Sequence, residues 1–161
     1  MTYSTLLNGQ YLEQNGAEVR YPGVAGNGYK VSISAEGTGF GNAEPRIRTM
    51  NTLMTQGSWE TLGPFGNRGP ALVVEIEGLT ADGLNAGEVW LSNLMGRGTL
   101  EWIPPGHTVS TVFDVVWCYI DRSYDEAWDL DETRWVRRYL IPIKALPNAR
   151  SKSLTLTPSP P

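Results

Sequence analysis

The chain has 161 residues, 40% of them apolar, and carries 18 glycines and 11 prolines, which is typical of a single, turn-rich, mainly β domain with a sizeable core. A net charge of -4 argues against nucleic acid as a partner. With one cysteine and no apolar run long enough to span a bilayer, the sequence excludes an intramolecular disulfide and predicts no membrane segment and no apolar leader.

The first 36 residues predict a hairpin-rich beginning. Asn8-Gly9 and Asn15-Gly16 are strong turn dipeptides, because asparagine and glycine accept the positive φ that tight hairpin turns need. The period-two runs between these turns predict short strands at residues 5–12, 18–21 and 29–36.

Residues 37–70 show no sustained period. A structureless loop of that length is unusual in a compact domain, so we expect short strands at 47–54 and 58–62. Residues 71–78 are clearer, since their apolar and charged side chains alternate and predict a strand with one face in the core. The residues predicted to point inward are Leu72, Val74 and Ile76.

One helix is predicted, from Asp82 to Met95. Asp82 can cap its first turn, and Gly96 suits a left-handed stop. Gly87 lies on the apolar stripe, which predicts that another backbone approaches the helix there. Trp90 lies off the centre of the stripe, so we expect it to be accessible. The stripe comprises Leu84, Gly87, Leu91, Leu94 and Met95.

A strand at 99–103 and a Pro104-Pro105-Gly106 turn lead to the run 109–120, around which the chain is organised. This run alternates β-branched and aromatic residues and is apolar on both faces, which is typical of a central strand covered on both sides. We therefore predict a core strand. Its inward residues are predicted to be Phe113, Val115 and Trp117.

A second long run, from Trp135 to Lys144, is predicted to place Trp135, Tyr139, Ile141 and Ile143 on one face. Pro142 has no N–H for a sheet ladder, so we expect an edge or a bulge there. A short strand at 153–157 would complete one domain over residues 1–157. The proline-rich end, 158–161, reads as a linker or the start of another module.

Charge is unevenly distributed along the chain. Residues 1–132 hold 7 basic against 17 acidic residues, a net of -10, whereas residues 133–161 carry +6. One interpretation is that the two segments fold beside each other and pair at the surface. The other is that opposite charges meet on neighbouring subunits.

Catalytic chemistry has little support in the sequence. His107 is the only imidazole and is expected in a solvated loop, while Cys118 lies in an apolar run and is expected to be buried. A triad hydrolase or a His/Cys metal site therefore lacks partners, and we expect no cofactor and no metal. The acidic segment 121–132 keeps one enzymatic alternative open, two-carboxylate glycan cleavage.

Aromatic residues outnumber what a core of this size requires. Trp59, Trp90 and Trp128 lie in turns or off apolar faces, and exposed aromatics mark interfaces or ligand platforms. Trp128 is surrounded by carboxylates that could bind hydroxyl groups or a neighbouring subunit. The candidate contact residues are Trp59, Trp90, Trp128, Asp125, Glu126 and Asp129.

The C-terminal half resembles a known family. The segments WIPPG (102–106), TVFDVV (111–116) and ALPNARS (145–151), within roughly residues 70–151, are similar to minor tail or distal tail proteins of long-tailed bacteriophages that infect actinobacteria. The resemblance implies a β-sandwich with one helix and a non-enzymatic, structural protein of the virion, made in the host cytoplasm. It also implies a ring, commonly a hexamer, that joins the tail tube to the host-recognition apparatus through other tail proteins.

The sequence leaves a second class of function open. A carbohydrate-binding β-sandwich could attach a particle to a host cell-surface glycan through Trp128 and Trp59, since a ring subunit and a lectin can share a fold. A stable ring in solution would favour the first hypothesis. A monomer that binds cell-wall polysaccharide would favour the second.

Overall fold

The computed structural model describes residues 4–23, 26–38, 45–51, 58–65, 67–104, 106–123, 129–131 and 134–152. These ranges contain twelve strands and one helix. The strands are β1 (Ser4–Leu7), β2 (Gln10–Glu13), β3 (Val19–Tyr21), β4 (Tyr29–Thr38), β5 (Pro45–Asn51), β6 (Ser58–Phe65), β7 (Ala71–Gly78), β8 (Gly98–Ile103), β9 (Thr111–Cys118), β10 (Arg122–Ser123), β11 (Asp129–Asp131) and β12 (Arg134–Ser151), and the helix is α1 (Ala81–Asn93). The predicted strand at 153–157 and the end 158–161 lie outside the described residues.

The fold is mainly β with one helix, as predicted. Eight strands form one antiparallel path in the order β2-β1-β8-β9-β12-β7-β4-β3, with β10 and β11 paired to β12. The path nearly closes on itself, because the Tyr21 hydroxyl on β3 donates a hydrogen bond of 2.8 Å to the Tyr11 carbonyl on β2. The sandwich is therefore one curled sheet whose two halves face each other.

The 18-residue strand β12 belongs to both halves of the sheet. Residues 135–142 pair with β7, and residues 143–151 pair with β9. Pro142 is in register with Ala71, in the interior of the sheet and not at an edge. β10 pairs with β12 only as far as Leu140, and the pairing of β12 with β9 begins at Ile143. The missing N–H of Pro142 therefore falls where β12 changes from one neighbouring strand to the other.

The core fills the space between the two halves. On β9, Phe113 and Val115 are buried as predicted, and β9 lies between β8 and β12 in the sheet. The prediction that both of its faces are covered is wrong at one end of the strand, where Val116 and Trp117 are exposed. The predicted inward faces of β7 and of the run beginning at Trp135 are confirmed, with Trp135 only partly buried. Their buried residues are Leu72, Val74, Ile76, Tyr139, Ile141 and Ile143.

The prediction for Trp117 is wrong because β9 contains a β-bulge. Val115 is in register with Ala145 and Trp117 with Lys144, so Val116 is one extra residue on β9. Side-chain alternation reverses across the extra residue. Trp117 consequently points away from the core and is 40% exposed.

The hairpins follow the predicted turn chemistry. Asn8 and Gly9 have φ of 51° and 79° and join β1 to β2, so the run predicted at 5–12 is two strands and not one. Asn15 and Gly16, with φ of 53° and 74°, form the second turn. Residues 37–70, whose sequence shows no sustained period, contain the antiparallel pair β5 and β6, close to the strands expected there.

The helix lies against β7 and β4 through the predicted stripe. Its N-cap is Thr80, not Asp82, because the Thr80 hydroxyl accepts a hydrogen bond of 3.1 Å from the Gly83 N–H. Gly87 meets side chains and not a backbone: a Cβ there would lie 2.6 Å from Ile76 Cγ2. The close backbone approach occurs at Gly83, where a Cβ would lie 2.5 Å from the carbonyl oxygen of Gly28.

Candidate functional site

The structure describes the backbone of three of the six predicted contact residues, Trp59, Trp90 and Asp129, and these three lie on different elements. Trp59 lies on β6 in register with Met50, and Asp129 lies on β11 in register with Val136. Asp125, Glu126 and Trp128 fall outside the described residues, as do the side chains of Trp59 and Asp129. Trp90 alone among the six has a described side chain.

Trp90 is half-buried, whereas the sequence predicted an accessible residue. Its ring centroid lies 4.8 Å from that of Tyr21 and 5.8 Å from that of Tyr29, and the two tyrosine rings stack at 5.4 Å. Aromatic pairs at these separations stabilise beyond the area they bury. Trp90 therefore anchors α1 to β3 and β4.

A pocket of about 360 Å³ opens beside this aromatic cluster. It is lined by the two tyrosines, Pro22, Gly28 and Leu79, with Arg20 and Lys30 also on its wall. Burial raises the pKa of the Tyr21 hydroxyl, and burial together with the Tyr21 charge raises that of Tyr29 to about 12. The Tyr21 hydroxyl already donates a hydrogen bond to the Tyr11 carbonyl, so the pocket offers a ligand chiefly the apolar faces of the rings.

Four basic side chains of β12 and its following turn pair with carboxylates earlier in the chain. Arg138 Nε lies 2.8 Å from Glu75 Oε2, and Lys152 Nζ lies 2.9 Å from Glu101 Oε2. The other two pairs are Arg150 with Asp114 and Arg137 with Glu88. The intrachain interpretation of the charge asymmetry is thus confirmed for these four residues, which leaves less charge for contacts between subunits.

The fourth of these pairs belongs to a small network inside the fold. Glu88 on α1 accepts hydrogen bonds from Arg137 and from the Tyr139 hydroxyl on β12. Burial, and then the bond to the Glu88 carboxylate, raise the pKa of Tyr139. The network ties the helix to the central strand.

An exposed apolar surface, which the sequence did not indicate, lies around the bulge of β9. We call it the β9 patch: Val116, Trp117, Tyr119 and Leu146, with 38%, 40%, 44% and 44% of their surface exposed. The Trp117 and Tyr119 rings lie 5.2 Å apart, and Lys144, opposite Trp117, precedes Leu146 on the same face of β12. A run that is apolar on both faces carries no sign of where a bulge turns its residues outward.

The two residues with nucleophile or base chemistry lie in separate environments. His107 is exposed beside the turn at Gly106. Cys118 is buried, as predicted, and donates a hydrogen bond of 3.4 Å to the Gly96 carbonyl, while burial raises its thiol pKa. Within the described ranges, no cluster of three His, Cys, Asp or Glu could hold a metal ion. The described residues also include no helix long and apolar enough to cross a membrane.

The chain resembles a known protein in its fold but not in its sequence. No family model matches the chain, and no curated protein matches it significantly. The fold is similar to the crystal structure of SPP1 Dit (gp 19.1), described as a paradigm of the hub adsorption apparatus in phages that infect Gram-positive bacteria. The TM-score is 0.54, the sequence identity is 9%, and the match covers 90% of this chain and 50% of SPP1 Dit. The chain therefore spans about half the length of that protein, and the likeness concerns the fold.

Proposed function

We propose that this chain is a structural protein of a phage tail tip, and that it acts through contacts with copies of itself and with other tail proteins. The observation that carries the proposal is the fold likeness to a phage hub protein over nine tenths of the chain. The sequence resemblance over roughly residues 70–151 points to the same class independently. The role is non-enzymatic and belongs to the virion.

The finer part of the proposal is a closed ring, such as a hexamer, that joins the tail tube to the host-recognition apparatus. A closed ring uses two different surfaces on every subunit, one for each neighbour. An exposed apolar surface such as the β9 patch is the kind of feature that marks an interface.

The mass in solution tests the ring. Light scattering across protein concentration should give a mass that is a multiple of 17.7 kDa, and negative-stain images should show closed rings. Association should weaken with salt yet persist, if apolar contacts carry most of the free energy. A strict monomer at concentrations on the order of 100 μM would contradict a ring that forms without the tail tube, because micromolar contacts would be visible there.

A second candidate function is attachment to a host cell-surface glycan, and the aromatic pocket favours it. Tyr21 and Tyr29 offer apolar ring surface on which a sugar can stack, while Arg20 and Lys30 on the pocket wall form ion pairs with Glu18 and Glu77 and so add little net charge. Leu79→Glu, which places a charge on the apolar pocket wall at a side chain that is 65% exposed, should then abolish binding to purified cell-wall polysaccharide without changing the mass in solution. Equal binding by the variant would show that the glycan does not bind in this pocket.

A further inference from the structure

Asparagine is followed by glycine at three places in the chain, residues 8–9, 15–16 and 27–28. This pair is prone to spontaneous deamidation, because glycine has no Cβ to hinder its backbone nitrogen. The glycine nitrogen gives up its proton and attacks the asparagine Cγ, a ring C–N bond forms, and the side-chain nitrogen leaves as ammonia. One water then opens the ring at either carbonyl and leaves aspartate or isoaspartate, so the reaction needs neither an oxidant nor an enzyme.

At the first of these pairs, the fold holds the side chain that would react. Asn8 Nδ2 donates a hydrogen bond of 2.8 Å to the Leu94 carbonyl, and Asn8 Oδ1 accepts one of 2.8 Å from the Thr99 N–H. The amide also packs directly against Gly98, where an added Cβ would overlap with it. Deamidation would have to break both hydrogen bonds, because Cγ moves to the Gly9 nitrogen and Nδ2 departs.

The third pair is enclosed on the glycine that would attack. Gly28 is buried, and its carbonyl accepts a hydrogen bond of 3.2 Å from the Leu79 N–H. The same carbonyl oxygen lies so close to Gly83 of α1 that a Cβ added there would be 2.5 Å away. The backbone with which Asn27 would have to close a ring is therefore held on two sides.

The second pair lacks both kinds of protection. Asn15 and Gly16 are exposed, and no residue in the described ranges forms a hydrogen bond with the Asn15 side-chain amide. The Asn15 backbone N–H donates to Ser4 Oγ at 2.9 Å. The turn is closed by hydrogen bonds of 3.1 and 2.9 Å between Gln14 and Ala17, which do not involve the Gly16 nitrogen. The Asn15 side chain can thus rotate until its Cγ meets that nitrogen.

We infer that Asn15 is a site of spontaneous deamidation and that the fold protects Asn8 and Asn27 from the same reaction. The three pairs are chemically alike, so the difference in rate comes from their surroundings. Because two hydrogen bonds must break before the ring can close at Asn8, its reaction should be at least about tenfold slower than that of Asn15.

The modification would alter the corner at which the sheet closes. Asn15 and Gly16 connect β2 to β3, the two end strands of the eight-strand path, and Gln14 and Ala17 form an isolated bridge beside this turn. Isoaspartate lengthens the backbone of the two-residue turn by one carbon, and either product adds a carboxylate three positions before Glu18. We expect the bridge to weaken, since turn length sets the register of a hairpin and like charges repel.

Peptide mapping by mass spectrometry, after incubation of the intact chain at mildly alkaline pH, measures each site separately. In the folded protein, the amide of Asn15 should be lost at least about tenfold faster than that of Asn8, and faster than that of Asn27. In guanidinium chloride, which removes the fold, the Asn8 rate should rise until it is similar to the Asn15 rate. Equal rates at Asn8 and Asn15 in the folded protein, or a difference that persists in the denaturant, would refute protection by the fold.

Asn15→Gly is the matched control variant, because a Gly-Gly turn accepts the same positive φ and has no amide to lose at that position. Anion-exchange chromatography of the incubated wild type should separate an acidic form, and this form should unfold at a lower urea concentration than the unmodified chain. Incubation of Asn15→Gly should yield at most about a tenth as much of an acidic form.

Two results would contradict this expectation. An acidic form that accumulates equally in the wild type and in Asn15→Gly would place the modification at another residue and overturn the assignment to Asn15. A chain deamidated at Asn15 that unfolds at the same urea concentration as the unmodified chain would overturn the expected weakening of the corner between β2 and β3.

Discussion

Replacing Phe113 with alanine tests the packing of the core. The ring is 1% exposed on the strand between β8 and β12, and Leu100 is its register partner on β8. On its other side, the Arg68 guanidinium carbon lies 5.2 Å from the ring centroid. Arg68 is itself held by a hydrogen bond of 2.8 Å from Nε to the Pro147 carbonyl, so it cannot collapse easily into the space left by the ring.

The expected loss follows from this environment. Phe→Ala substitutions in cores cost about 3 to 5 kcal/mol, and the cost is greatest where the surroundings cannot relax. Loss of the cation–π contact adds about 0.5 to 1 kcal/mol, so we expect a value in the upper half of that range. Trp117→Ala, on the same strand, removes a larger but exposed side chain and should cost roughly 1 kcal/mol or less.

Equilibrium unfolding in urea, followed by tryptophan fluorescence and by circular dichroism, would measure both variants. The two probes must coincide for the free energies to be comparable. A loss below about 1 kcal/mol for Phe113→Ala would mean that the ring is not in the core. Equal losses for the two variants would show that β9 has no bulge and that Trp117 also points inward.

Three other outcomes are expected. Gly83→Ala should destabilise by about 1 to 3 kcal/mol in urea titration, because the new Cβ would lie 2.5 Å from a backbone carbonyl oxygen, whereas Gly69→Ala, with no atom within 4 Å, should be near neutral. Tyr139→Phe should cost about 1 to 3 kcal/mol, because the Glu88 carboxylate loses a hydrogen-bond donor; an unchanged midpoint would contradict the network. Folding raises the pKa of Tyr29 from 10.0 to about 12. The contribution of this shift to the free energy of unfolding should therefore be fully present below pH 10 and lost as pH rises toward 12. Ultraviolet titration of Tyr29→Phe should lack one late-ionising phenol, and stability that rises above pH 10 would contradict the assignment.

The parts of the fold that the sequence predicted are those fixed by local chemistry. The Asn8-Gly9 turn needs positive φ at two adjacent residues, which asparagine and glycine accept. In β7, polar and apolar residues alternate, so one face of the strand is polar and the other is apolar. Both signals depend only on neighbouring residues. The sequence alone does not distinguish Thr80 from Asp82 as the N-cap, because both side chains offer the same chemistry and only the backbone decides between them.

The candidate site was harder to predict because it depends on register between distant strands. Trp117 follows the alternation of β9 in sequence, and only its pairing with Lys144 reveals the extra residue that turns it outward. Trp90 was expected to be accessible because the tyrosines that cover it come from β3 and β4, more than 60 positions away for Tyr29. The predictions for Trp59, Trp128, Asp125, Glu126 and Asp129 as contact residues stay predictions.

The shared strand β12 has a consequence for how the protein is made. It supplies a neighbour to β7 in one half and to β9 in the other, and it follows both in the chain. During synthesis neither half of the sheet can complete its hydrogen-bonding ladder until residues 134–151 have left the ribosome. The two halves therefore depend on the same segment to finish folding. Folding then requires long-range pairings to form together, which makes it slow and strongly cooperative, and a nascent chain stalled before β12 would present the open edges of both half-sheets to other chains.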